Sequence, residues 1–108
     1  EELIRAGMLK AHGIYYYVPG MLKHFDTEAV IALAAPRPML FMTGDQDGGS
    51  PVEGVRHLGE IVGKVYDLHG SKERFENIIY PGVGHVYLPE MLQRTLQWMD
   101  AQVKNAKP

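Results

Sequence analysis

The apolar positions of this chain change period along its length, and each change predicts an element. Met39-Leu40-Phe41-Met42 is an unbroken apolar run between Pro38 and the Gly44 loop. A run of this kind predicts a strand buried on both faces, as in a parallel sheet. Val52, Val55, Leu58, Val62 and Val65 then recur at helical spacing. Ser50-Pro51-Val52-Glu53 opens that helix, with Ser at the expected N-cap, Pro at the first helical position and Glu three residues after the cap. Phe75 to Tyr80 returns to a β-prone run, and Pro89 opens a last helix. There Leu92, Leu96, Met99 and Val103 form a narrow apolar stripe of the kind that faces a core. Upstream, Leu3 to Ala11 predicts a short helix ended by Gly13, and Ile14 to Val18 an aromatic strand closed by Pro19-Gly20. Asp26-Thr27 caps a helix through Ala29, Val30 and Leu33, stopped by Pro36 and Pro38.

The central order is strand, helix, strand, helix. Two strands joined through a helix are parallel neighbours in one sheet, so the fold class is α/β. The 108 residues form one unit. Residues 1–26 are a variable lead-in, 27–103 carry the βαβα portion, and 104–108 are a polar tail.

Composition narrows the chemistry. A formal net charge of −2 without a basic stripe gives no reason to expect nucleic-acid or anionic-membrane binding. The absence of cysteine removes disulfides, thiolate catalysis and Cys-based zinc sites. No apolar run is long enough to cross a bilayer, and no signal-peptide pattern is present.

Loops at the carboxyl ends of parallel strands are where α/β proteins place their sites. Thr43-Gly44-Asp45-Gln46-Asp47-Gly48 follows the first strand and Pro81-Gly82-Val83-Gly84-His85 the second. Each holds a residue fit for proton transfer: an Asp able to orient a His, and a His able to shuttle a proton. Asp47 beside Gly48 also reads as turn chemistry, Asp45 is an alternative acid, and His85 also reads as a surface-loop histidine. His12, His24, His57 and His69 are scattered without partners. The alternating carboxylates of Asp45-Gln46-Asp47 fail an EF-hand at Gly49, Ser50 and Arg56, and no His-Glu-x-x-His zinc motif exists, so no metal is expected.

Two segments carry a family resemblance. Ala35-Pro36-Arg37-Pro38-Met39-Leu40-Phe41-Met42-Thr43-Gly44-Asp45-Gln46-Asp47 resembles the strand and acid loop of α/β-hydrolases of the dienelactone-hydrolase and acetyl-xylan-esterase kind. Tyr80-Pro81-Gly82-Val83-Gly84-His85 resembles their histidine loop. The likeness runs from about Asp26 to Met99. It implies a partial α/β-hydrolase fold with a few parallel strands and flanking helices. Asp47 would be the triad acid and His85 the triad histidine of a serine esterase that needs no cofactor. The parent's substrate would be a small-molecule ester.

The Gly-x-Ser-x-Gly elbow of that family is absent. Ser50 is followed by Pro51, which has no N–H to offer an oxyanion hole, and reads as an N-cap. Ser71 leads into a charged stretch in the wrong context. The expectation is therefore a C-terminal fragment, inactive alone, whose nucleophile lies upstream. The open strand edges then favour a homodimer or higher homo-oligomer. The alternative is a non-catalytic domain that binds itself or a partner. Tyr15, Tyr16 and Tyr17 fit packing better than a substrate pocket.

Overall fold

The computed structural model describes Arg5 and residues 18–105. The helix expected over residues 3–11 and the tyrosine-rich strand lie, apart from Arg5 and Val18, outside the described residues. A short 3-10 turn at Met21–Lys23 precedes helix α1 (Thr27–Ala32). Strand β1 (Met39–Gly44), helix α2 (Val52–Leu68), a second 3-10 turn (Lys72–Arg74), strand β2 (Phe75–Tyr80) and helix α3 (Pro89–Asn105) follow. The two strands pair in parallel from Met39 opposite Phe75 to Gly44 opposite Tyr80. The strand–helix–strand–helix order read from the hydrophobic pattern is therefore the observed one, and the architecture is a small α/β arrangement.

Local chemistry accounts for most boundaries. The Asp26 carboxylate accepts the Thr27 N–H at 2.7 Å and starts α1. The Ser50 cap is not formed. Pro51 occupies the N-cap position of α2 and no side chain caps that end. Ser50 instead gives its N–H to the Asp47 carbonyl at 3.1 Å, which closes a turn in the loop before the helix.

The core is built on α2. Val52, Val55, Leu58 and Val65 are half-buried, while Val62 and Tyr66 have no exposed surface. The Tyr66 ring stacks on Phe75 at 5.2 Å, and Phe75 meets Phe41 edge-on at 6.2 Å. The Tyr66 hydroxyl donates to the Arg37 carbonyl, fastening α2 to the entry of β1. Burial pushes the phenol pKa up, opposed by the charge of Arg37. Tyr66→Phe removes this hydrogen bond and keeps the ring. It should cost about 0.5–1.5 kcal/mol. That lowers the melting temperature by several degrees in a domain of this size. A thermal melt at neutral pH checks it; an unchanged midpoint would remove the bond from the stability account.

Two expectations about burial are corrected. Strand β1 is half-buried over Met39–Thr43, not enclosed, because only one neighbouring strand pairs with it among the described residues. The stripe on α3 faces outward: Leu92, Leu96, Met99 and Val103 are each at least half exposed. The face turned to the sheet is Met91, Arg94, Thr95, Trp98 and Gln102. Met91 is buried, and Arg94 pairs with Glu76 of β2. An ion pair and a bulky ring set the rotation of this helix, and its apolar stripe is left uncovered.

Candidate active site

The ends of β1 and β2 lie side by side, so the loops that follow them leave the sheet together. The parallel ladder continues past the strands. The Asp45 N–H donates to the Tyr80 carbonyl at 3.0 Å, and the Gln46 N–H to the Val83 carbonyl at 2.9 Å. This approach depends on Gly44. A Cβ built there would strike the Val83 carbonyl and come within 2.8 Å of the Gly84 carbonyl oxygen. No side chain fits where the second loop crosses the end of β1.

The acid loop folds back on itself. The Asp47 N–H donates to the Gly44 carbonyl at 3.1 Å, and Asp47 Oδ1 accepts the Gly49 N–H at 2.8 Å. This leaves Oδ2 directed to His85 Nδ1, 2.9 Å away and 38 residues on in the chain. An ionised carboxylate only accepts hydrogen bonds, so the neutral imidazole carries its proton on Nδ1 and presents Nε2 as a lone-pair base. The Asp47 side chain is 10% exposed and that of His85 91% exposed. The acid is sheltered, and the histidine stands at the open face.

The Asp47 pKa is held below the ordinary carboxylate value. The hydrogen bond from His85 is the largest cause; burial opposes it, and the Gly49 N–H adds to the lowering. A carboxylate whose folded-state pKa is depressed stabilises the fold above its unfolded pKa, and the contribution fades as pH falls through the folded value. The stability difference between the unmodified chain and Asp47→Asn should thus shrink as pH falls below about 4. Denaturant melts at a series of pH values test this; a difference independent of pH down to pH 2 would deny the carboxylate its ionised role.

The other candidates separate cleanly. Asp45 does not reach His85: its Oδ1 accepts the Gly82 N–H at 2.7 Å and the Gln46 side-chain amide at 3.2 Å. Ser71 is buried, and its hydroxyl donates to the Tyr66 carbonyl at the end of α2, a structural use. Among the described residues no serine hydroxyl is hydrogen-bonded to His85. His24, His57 and His69 are exposed, and His12 lies outside the described residues. No group of three or more His, Asp or Glu among the described residues is placed to hold a metal ion. Two contributors escaped the sequence reading, the steric role of Gly44 and the Asp45–Gly82 bond. The one available signal was the presence of Gly at both loop entries.

The described residues thus form an α/β unit with a carboxylate–imidazole pair at adjacent strand ends. The chain is 36% identical over 83 residues to the Bacillus subtilis (strain 168) protein named "Putative hydrolase YtaP". The match takes in 77% of this chain and 27% of that relative, so the chain spans about a quarter of the relative's length. No protein-family model matches the chain. No solved structure matches it either.

Proposed function

We propose that these residues form the acid- and histidine-bearing part of a serine-type carboxylic-ester hydrolase with α/β-hydrolase architecture, similar to the dienelactone-hydrolase and acetyl-xylan-esterase families. The observation that carries this reading is the 2.9 Å bond between Asp47 Oδ2 and His85 Nδ1 at the ends of two parallel strands. His85 Nε2 takes the proton of a serine hydroxyl as that oxygen attacks the ester carbonyl. Asp47 holds the imidazole in register and stabilises the imidazolium. The same proton then passes to the departing alcohol, and a second cycle with water releases the acid. The serine comes from a segment that these 108 residues do not contain, and the isolated chain turns over esters poorly or not at all.

A segment exchange tests the reading. The part of the Bacillus subtilis relative that aligns with this chain, chosen to take in the counterparts of Asp47 and His85, is replaced by the corresponding residues of this chain, and p-nitrophenyl ester turnover and fluorophosphonate labelling are followed before and after exchange. A chimera that keeps the parent's turnover and loses it on His85→Ala supports the assignment. A folded, active chimera indifferent to His85→Ala overturns it. On the isolated chain, a fluorophosphonate adduct at Ser50 or Ser71 that disappears with His85→Ala would also overturn the missing-nucleophile part.

The outward stripe of α3 favours a second reading, self-association without catalysis. Leu92, Leu96, Met99 and Val103 line up on one helix face, and among the described residues each strand has an open edge. Exposed apolar area and unpaired strand edges both promote pairing between chains. Sedimentation at high concentration should reveal a dimer or larger species. Leu96→Lys should weaken it by about one to two orders of magnitude, the effect of losing one buried leucine. A strictly monomeric chain would remove this reading.

A further inference from the structure

We propose that Asp45 is a positioning residue for His85, holding the histidine loop against the acid loop through the Gly82 backbone N–H. The inference rests on the reading of Asp47 and His85 as a catalytic pair and adds the device that keeps them paired.

The need for such a device follows from exposure. The His85 side chain is 91% exposed, so its surroundings do little to fix it. Among the described residues its side chain hydrogen-bonds to Asp47 alone. Where the imidazole sits is therefore decided by the path of the backbone from Tyr80 to His85. That path turns at Pro81-Gly82, and Gly82 has φ of 71°, in the left-handed region that a side chain would strain. A turn of this form directs the Gly82 N–H back toward the first loop, where Asp45 Oδ1 receives it at 2.7 Å. A hydrogen bond from a backbone N–H to an ionised carboxylate is shorter and stronger than one to a neutral acceptor.

The bond works with its neighbours. Asp45 also donates its own N–H to Tyr80, and Gln46 donates to Val83. Three cross-loop bonds thus span Tyr80 to Val83, ending two residues before His85. On the opposite side they stop one residue short of Asp47. Of the three, two are backbone to backbone and survive any side-chain change. The Asp45–Gly82 bond is the one a substitution can remove. Asp45 is thereby distinguished from Asp47 by function as well as by place. Asp47 contacts the imidazole, whereas Asp45 contacts only main chain and the Gln46 amide.

The test uses the 108-residue chain and needs no substrate. Carbon-detected NMR follows the Asp47 carboxyl through a pH titration in the unmodified chain, Asp45→Ala and Asp45→Asn. The unmodified chain should show Asp47 titrating below the ordinary carboxylate value. Asp45→Ala should move that titration most of the way back to the ordinary value, with the Tyr66 and Phe75 ring signals unchanged. Asp45→Asn keeps an oxygen acceptor for Gly82 and should retain most of the depression. A second readout is the Gly82 amide proton, which should exchange with solvent more slowly in the unmodified chain and Asp45→Asn than in Asp45→Ala. Asp45→Ala leaving a depressed Asp47 unmoved, or a Gly82 amide that exchanges equally fast in all three proteins, overturns the positioning role alone. An Asp47 that titrates at the ordinary value in the unmodified chain overturns the pair itself, and with it the catalytic reading.

Discussion

Gly44→Ala should separate the two loops and lower the melting temperature by on the order of 10 °C. The added methyl has nowhere to go. Its nearest neighbours would be the carbonyls of Val83 and Gly84, which are backbone atoms and cannot rotate away as a flexible side chain would. Overpacking a tight site costs about 1–3 kcal/mol. The chain has little to spare: among the described residues only Val62, Tyr66 and Met91 are buried apolar side chains. If the loop yields by moving, the Gln46–Val83 bond and the Asp47–His85 bond both lengthen, and the depressed pKa of Asp47 should rise toward its ordinary value. Thermal melts and the Asp47 titration are therefore expected to change together. An alanine variant with unaltered stability and an unaltered Asp47 would contradict the close approach of the two loops.

The largest catalytic effect is expected from His85→Ala in the segment-exchange hydrolase. Loss of a triad histidine removes both the base that activates serine and the acid that releases the alcohol. The expected fall in kcat is roughly four to six orders of magnitude, leaving the turnover that binding and the oxyanion hole supply by themselves. KM should change little, because the proposed mechanism has His85 act on the reacting proton and not on the ground-state ester. Asp47→Asn should cost about four orders of magnitude, since an amide can stabilise the wrong imidazole tautomer. A loss of tenfold or less for either change, in a chimera otherwise as active as its parent, would assign the proton transfer to another group.

Of the three departures from the sequence pattern, the Ser50 cap and the α3 stripe both come from reading a local signal without its tertiary surroundings. The Ser50 cap was inferred from a local pattern of Ser, Pro and Glu. Helix α2 instead begins one residue later, with Pro51 at its N-cap and no side-chain cap, while the Ser50 backbone N–H closes the turn after Asp47. The α3 stripe was inferred from spacing alone. Spacing identifies a helix and its apolar face; which face meets the sheet depends on what the sheet offers. Here Glu76 recruits Arg94, and Trp98 turns inward with it.

By itself, the sequence determined the order and type of the elements from β1 to α3, because those depend on short-range signals: an apolar run between Pro and Gly, a 3.6-residue period, and Pro at a helix start. It also singled out Asp47 and His85 as candidates, because their loops carry recognisable glycine settings. Only the tertiary structure decided that the two meet at 2.9 Å, that Gly44 must lack a side chain, and that Asp45 serves Gly82 and not His85. Each of these is a contact between residues far apart in the chain. Their geometry is set by the parallel register of β1 and β2, which local periodicity does not encode.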